Sequence, residues 1–310
     1  MTIGAFLSCM NRLGGQRNSH SPQIRRTLSP RTLLPTRASS ASGKLPIALA
    51  VGLLAAAVAG EASADLIAYD QFVGYDAGQL VGQGKGFGWA NAWQGDTDYT
   101  VSSSGGLTHG YLPDVTDGGS ASTGSAGGSV SRDLGTPITS PGSYYFGFLM
   151  KASGNAHNAY LGLVENGDGT GNLLYGGSWN SNSTWRLAKR DGSSYWDRDT
   201  HVAETANTTL FVLKLYMSAS GTDASSLYVN PANAAVLSGT PNAYYTFTHD
   251  FGRVSTVRAG LSNRTGATGS FIFDEVRIGT EAGDMFSEVP EPTSLALLAV
   301  AGLALWKRRK

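Results

Sequence analysis

The sequence predicts an all-β fold: one sandwich of about 225 residues between two processing segments. Three observations carry this. Apolar residues alternate in short runs, turn signals separate those runs, and no window of helical length shows a 3.6-residue apolar period free of glycine. Most of the 41 glycines lie between Asp65 and Glu288, among frequent Ser, Thr and Asn.

The first segment is a basic leader. Lys44 is followed by Leu45–Ala59, apolar throughout, and then by Gly60, Glu61 and the triplet Ala62-Ser63-Ala64. A basic stretch, an apolar run and a small-x-small site are the three parts of a secretory signal peptide. The expected cut follows Ala64, so residues 1–64 are leader and signal peptide and the mature chain begins at Asp65.

Residues 65–288 form the expected sandwich. Ser143–Lys151 puts Tyr144, Phe146, Phe148 and Met150 on one face of a strand. Thr209–Met217 alternates Phe211, Leu213, Leu215 and Met217 against a face holding Lys214. Shorter strands are expected at Tyr160–Val164, Trp185–Lys189, Ser226–Asn230 and Val257–Leu261, and a longer one at Phe271–Ile278. Turn signals stand between them at Asn166-Gly-Asp-Gly, Arg190-Asp-Gly, Asn230-Pro231 and Thr265-Gly266. No fixed-length repeat is present, which argues against a propeller or solenoid.

Residues 289–310 form the last segment. Val289-Pro290-Glu291-Pro292 precedes a Leu/Ala/Gly span ending at Trp306, and Lys307-Arg308-Arg309-Lys310 closes the chain. The span is shorter than the roughly 20 residues of a stable transmembrane helix. Its basic end stays cytoplasmic by the positive-inside rule. This is the order of a temporary inner-membrane anchor, a short hydrophobic helix that an enzyme replaces.

The charge balance hides an asymmetry. The whole chain is neutral, with 23 basic and 23 acidic residues, but 11 of the basic ones lie in the two end segments. Between Asp65 and Val289 there are 12 basic and 21 acidic residues, a formal charge of 12 − 21 = −9. An acidic body disfavours nucleic acid as a partner. The single cysteine, Cys9, lies in the leader, so the mature body has no disulfide, thiolate nucleophile or cysteine metal site.

The tail resembles the PEP-CTERM sorting signal. The resemblance rests on Pro290, Glu291 and Pro292, the short apolar span, and Lys307 to Lys310. It implies an exported protein of a Gram-negative bacterium, held transiently at the inner membrane, with an exosortase-type processing enzyme as partner. The body is similar to concanavalin A-like (laminin-G-like) jelly rolls. That likeness rests on Leu210–Tyr216, Leu227–Pro231 and Phe273–Gly279 near the end, and on Tyr69–Phe72 and Gly86–Trp93 at the start. It implies a two-sheet jelly roll and says nothing of activity.

Catalytic signals are weak. The hydrolase branch of this fold carries Glu-x-Asp-x-Glu on a strand, and no such run occurs here. Asp274 and Glu275 are adjacent, so they are expected on opposite faces of a strand. Asp197 and Asp199 share a parity, but Arg198 and turn-like surroundings point to a solvated loop. His109, His157, His201 and His249 are isolated and read as surface residues. No Gly-x-Ser-x-Gly elbow surrounds any serine.

Two binding signals remain. Asn166-Gly-Asp168-Gly-Thr170-Gly-Asn172 spaces oxygen ligands as an EF-hand loop begins, but its twelfth position is Gly177. A glycine-rich hairpin explains that segment equally well, and no metal or cofactor is assigned. Trp179, Tyr195 and Trp196, with Trp185, are candidates for stacking on sugar rings, although Trp185 reads better as core. The expectation is therefore a non-catalytic protein of the cell surface or extracellular matrix. A carbohydrate-binding, lectin-like module for exopolysaccharide, with calcium assisting, is the alternative. A glycoside hydrolase ranks behind both.

Overall fold

A computed structural model of the chain describes residues 66–113, 118–123, 127–153, 158–165, 172–178, 183–191, 194–247, 250–261 and 269–287. The predicted signal peptide and sorting tail lie outside these residues, as do Trp179, His157, His249 and most of the Asn166–Asn172 loop. The first eight strands are β1 (Leu66–Asp70), β2 (Gly78–Gln79), β3 (Gln94–Gly95), β4 (Tyr99–Ser102), β5 (Ser120–Thr123), β6 (Gly128–Ile138), β7 (Gly142–Ser153) and β8 (Ala159–Val164). They are followed by β9 (Leu173–Gly177), β10 (Thr184–Asp191), β11 (Ser194–Ala203), β12 (Thr209–Met217), β13 (Ala224–Val229), β14 (Ala243–Thr246), β15 (Val254–Leu261) and β16 (Ser270–Gly279). Two short 3-10 turns, Ala234–Ser238 and Ala282–Met285, complete the described elements.

The strands form two antiparallel sheets, the jelly-roll sandwich. A nine-stranded sheet runs β14-β13-β12-β7-β16-β5-β4-β2, with β1 also paired to β16. A seven-stranded sheet runs β11-β10-β9-β8-β15-β6-β3. The long strands of the first sheet show why it holds. In β7 and β12, Phe146, Phe148, Met150, Phe211, Leu213, Leu215 and Met217 all face the main core, as their alternation predicts. Phe271 and Phe273 of β16 join them there. Trp185 of β10 enters from the other sheet and meets Phe211 edge-on at 5.0 Å.

The nine-stranded sheet is also buried on part of its outer face. Tyr145, Leu149, Leu210, Val212 and Tyr228 pack there against Leu237 and Met285 of the 3-10 turns. That second layer explains why Leu210 and Val212 are apolar although their side chains point away from the main core.

The Gly86–Trp93 segment is explained by its closeness to β1. Gly88 has φ +80, and a Cβ there would lie 2.0 Å from the Ile67 carbonyl oxygen. Only glycine fits so tight an approach. Trp89 then donates its indole N–H to the Tyr69 carbonyl at 3.1 Å, and Trp93 donates to Asp70 at 3.1 Å. The two tryptophans thus tie the first strand to the body.

Three sequence expectations change. Asp197 and Asp199 are not in a loop: they lie in β11, the edge strand of the seven-stranded sheet. Edge strands carry charge because one side has no strand neighbour, so polar composition there mimics a loop. Asp274 and Glu275 do not simply face opposite ways. Glu275 adopts φ 54 at a register shift in β16, and both carboxylates are buried. His109 is not an open surface residue: it is half-buried, with Nε2 3.0 Å from Asn230 Oδ1. His201 is exposed, as expected. Of the calcium-like segment, the flanks are visible: β8 and β9 pair antiparallel across it, the arrangement of a hairpin.

Candidate functional site

The face of the seven-stranded sheet turned away from the core collects charged and aromatic side chains in cross-strand rows. One row runs Asp199, Arg186, Gly177, Tyr160, Gly260. The next runs Asp197, Ala188, Tyr175, Gly162, Arg258. The third runs Tyr195, Arg190, Leu173, Val164, Thr256. The inward neighbours Leu161, Leu163, Leu174, Trp185 and Leu187 are core, so period-2 alternation delivers this set to the opposite face.

The glycines decide how the tyrosines lie. A Cβ at Gly260 would come within 2.3 Å of the Tyr160 ring carbon and hydroxyl, so the ring crosses directly over the neighbouring strand. The Tyr160 ring therefore rests against the backbone of β15 at Gly260, half-buried. Tyr175 packs beside it, ring centroids 4.8 Å apart and tilted by 41°. Val164, Leu173, Tyr175 and Ala188 make a small apolar patch here, with Tyr160 and Tyr195 packed on its border.

The charges pair within the face. Arg186 reaches Asp197 at 2.8 Å and Asp199 at 3.6 Å, while its Nε has no hydrogen-bond partner among the described residues. Partial burial works against ionisation of Asp199. The His201 amide, the Thr184 hydroxyl and Arg186 outweigh it and hold the carboxyl below the usual range. The phenols move the other way. Burial pushes Tyr160, Tyr175 and Tyr195 up, so all three stay protonated at neutral pH. Such a face presents guanidinium donors beside a largely buried tyrosine cluster.

Asp70, Asp274 and Glu275 are buried within networks that hold the sandwich together. Asp70 is enclosed by Arg132, Tyr75 and Trp93. Glu275 accepts from Arg277 at 2.7 Å and from the Tyr69 hydroxyl at 3.1 Å. Asp274 accepts the amides of Leu107 at 2.8 Å and Glu275 at 2.7 Å, and burial together with Glu275 raises it well above the usual carboxylate range.

The stacking candidates are not gathered on one surface. Tyr195 lies half-buried on the outer face described above. Trp196, the next residue, points to the other side of β11. There it is 49% exposed and tilts against Tyr245 at 5.7 Å, with Arg198 over the same Tyr245 ring at 4.9 Å. Trp179 lies outside the described residues. Sequence reasoning missed Tyr160, Tyr175, Arg186 and Arg258. Their signal was present: Tyr160 alternates with Leu161, and Arg186 with Trp185 and Leu187, so each stands on the face opposite a core position.

Comparison with known proteins places the two parts separately. Residues 288–310 match the PEP-CTERM protein-sorting motif. The motif marks an exported protein with a C-terminal membrane-anchoring sorting signal and implies processing by an exosortase. No curated protein sequence matches the chain. Among solved structures, the chain is similar to the T. cruzi calreticulin globular domain, at 12% identity and TM-score 0.42, covering 70% of this chain and 95% of that one. It is similar to domain 4 of AbnA, an extracellular arabinanase of Geobacillus stearothermophilus bound to arabinotriose, at 15% identity and TM-score 0.42, with coverage of 73% and 100%. A legume lectin-like domain from Entamoeba histolytica is similar at 10% identity and TM-score 0.38, with coverage of 58% and 89%.

Proposed function

We propose that this chain is a non-catalytic, exported surface or matrix protein that holds polysaccharide on the outer face of its seven-stranded sheet. One observation supports the reading: the half-buried Tyr160 ring packed over Gly260, on a face it shares with Arg186, Arg190 and Arg258. Flat rings stack on the CH faces of sugars, and guanidinium forks bind hydroxyl and carboxylate oxygens directionally. Hydrolysis needs one protonated and one ionised carboxyl. Asp197 and Asp199 instead share one arginine, and Asp199 is held ionised.

The test is affinity electrophoresis of the purified full chain through gels containing the host's own exopolysaccharide. Retardation of the parent is expected. Tyr160→Ala is expected to weaken it about tenfold, the equivalent of one stacked ring. Arg258→Ala should weaken it further when the polymer is acidic. A parent that migrates as in a plain gel sinks the reading.

The domain organisation is part of the same proposal: leader and signal peptide over 1–64, sandwich over 65–288, sorting segment over 289–310. Material recovered from outside the inner membrane is expected to begin at Asp65. N-terminal sequencing that still finds Arg25 or Cys9 would reject the assigned site Ala62-Ser63-Ala64.

A further inference from the structure

The nine-stranded sheet has a groove of its own. Beyond the patch covered by the 3-10 turns, β12, β13 and β14 leave a cavity of about 340 Å³ on the outer face. That is within the usual range for small-molecule sites, about 300–1,000 Å³. Tyr216 and Tyr244 line it and are 49% and 55% exposed. They are among the most exposed aromatic side chains described.

Register explains why a groove forms. Tyr216 pairs across to Ala224, and Tyr244 pairs to Ser226, so the two rings stand on the outer strands with small residues on the strand between. Two strand spacings and two residue steps separate them, about 12 Å between Cα atoms. An oligosaccharide spans that distance; a single sugar ring does not. Lys214 lies opposite Ser226 in the row that holds Tyr244. Its Nζ sits 5.4 Å from the Tyr145 ring centre, and it has no carboxylate partner among the described residues. Among the described residues it is the one charged side chain lining the cavity.

We propose that this groove is a second glycan site, selective for an acidic oligosaccharide. Tyr216 and Tyr244 stack on two separated sugar rings, and Lys214 meets a carboxylate on the chain between them. Lys214 supplies the local positive charge that selects an anionic ligand, against the repulsion of the body's net negative charge. The two rings bind by face contact, and the serines beside them accept and donate to sugar hydroxyls. The site does not rest on the seven-stranded face: it lies on the other sheet and shares no residue with it.

The experiment is calorimetric titration of the full chain carrying Tyr160→Ala and Arg258→Ala together, which weakens the first face both by its ring and by its charge. The probes are an oligogalacturonate and a neutral gluco-oligosaccharide of equal length. Uronate binding is expected to persist in this background and to weaken with added salt. Tyr216→Ala and Tyr244→Ala should each weaken it about tenfold, with Tyr216→Phe retaining it. Lys214→Gln should abolish the preference for the uronate while leaving neutral binding little changed. Unaltered circular dichroism confirms that these exposed substitutions leave the fold intact. The proposal is overturned if neither probe binds, or if the Tyr216→Ala/Tyr244→Ala double variant binds uronate like its parent. A groove that instead joins two copies of the chain, seen as a concentration-dependent mass lost in the double variant without sugar binding, also overturns it. Failure of the first face alone leaves Tyr216-dependent binding in place, so the two readings fail separately.

Discussion

Replacing Arg132 by methionine is expected to cost about 3–5 kcal/mol of folding stability, a large share of the total for a domain. Arg132 is 4% exposed and lies inside the sandwich on β6. Its guanidinium bonds the Asp70 carboxylate, the Tyr75 hydroxyl at 3.0 Å, and the carbonyls of Asn91 at 2.8 Å and Lys85 at 2.8 Å. It also lies over the Trp89 ring at 5.0 Å. One cation therefore closes the whole segment between β1 and β3 onto the second sheet. Methionine keeps the bulk and removes every donor, leaving Asp70 buried without its counter-charge.

The sign of the pH response follows. Burial pushes the Asp70 carboxyl upward, while Arg132, Tyr75, the Phe72 amide and the Trp93 indole pull it back. Without Arg132 the folded-state value rises further above that of the unfolded chain. A carboxyl raised on folding stabilises most when protonated, so the variant should gain stability as pH falls and lose it as pH rises from the unfolded value toward the folded one. Chemical denaturation at mildly acidic and at neutral pH measures this. Adding Asp70→Leu to Arg132→Met should recover much of the loss, since removing both partners strands no charge. A single variant as stable as the parent at neutral pH would show that the network is not holding the segment.

The same residues show what the sequence made legible. Strands β7, β12 and β16 were readable because apolar side chains alternate there without interruption, and one face of each is the core. Strand β6 was not, because its inward positions read Val130, Arg132, Leu134. A buried arginine breaks the hydrophobic pattern, and its compensating carboxylate lies 62 residues away. Periodicity sees neighbours along the chain, not partners across it. Strand β11 was hidden for a different reason: as an edge strand it carries Asp197, Arg198 and Asp199, the composition of a loop.

The candidate face shows the same limit. Each of its tyrosines and arginines was visible as a residue facing away from a core position. What the sequence could not supply was the order of strands. β8 lies between β9 and β15, and only that order sets Tyr160 against Gly260, one hundred residues on. The aromatic cluster around Trp196 was dense in sequence for a different reason. Alternation splits Tyr195 from Trp196, and nearness along a strand does not place side chains on one surface.

The largest effect of all is expected at the sorting tail. With Pro290, Glu291 and Pro292 replaced by alanines, the full chain should no longer be processed in its native host, and an uncut precursor should stay at the inner membrane. The physical case begins with length: an apolar span of about 14 residues is too short to anchor a protein permanently, against about 20 for a stable helix. Lys307, Arg308, Arg309 and Lys310 are expected to keep its far end on the cytoplasmic side. The triplet is therefore expected at the outer face of the membrane. Each proline fixes its own φ and disfavours the helical region for the preceding residue, so the sequence predicts an extended segment that a processing enzyme could grip. Glu291 carries a charge that resists entering hydrocarbon and sets the depth of the triplet. Glu291→Ala alone removes that charge and leaves both prolines, so it separates the two contributions. Mass spectrometry and membrane partition of the product read the result. If the triple variant is trimmed and released like the parent, or if the parent keeps Lys307–Lys310 at the surface, these residues are not the recognition element and the segment is an ordinary anchor.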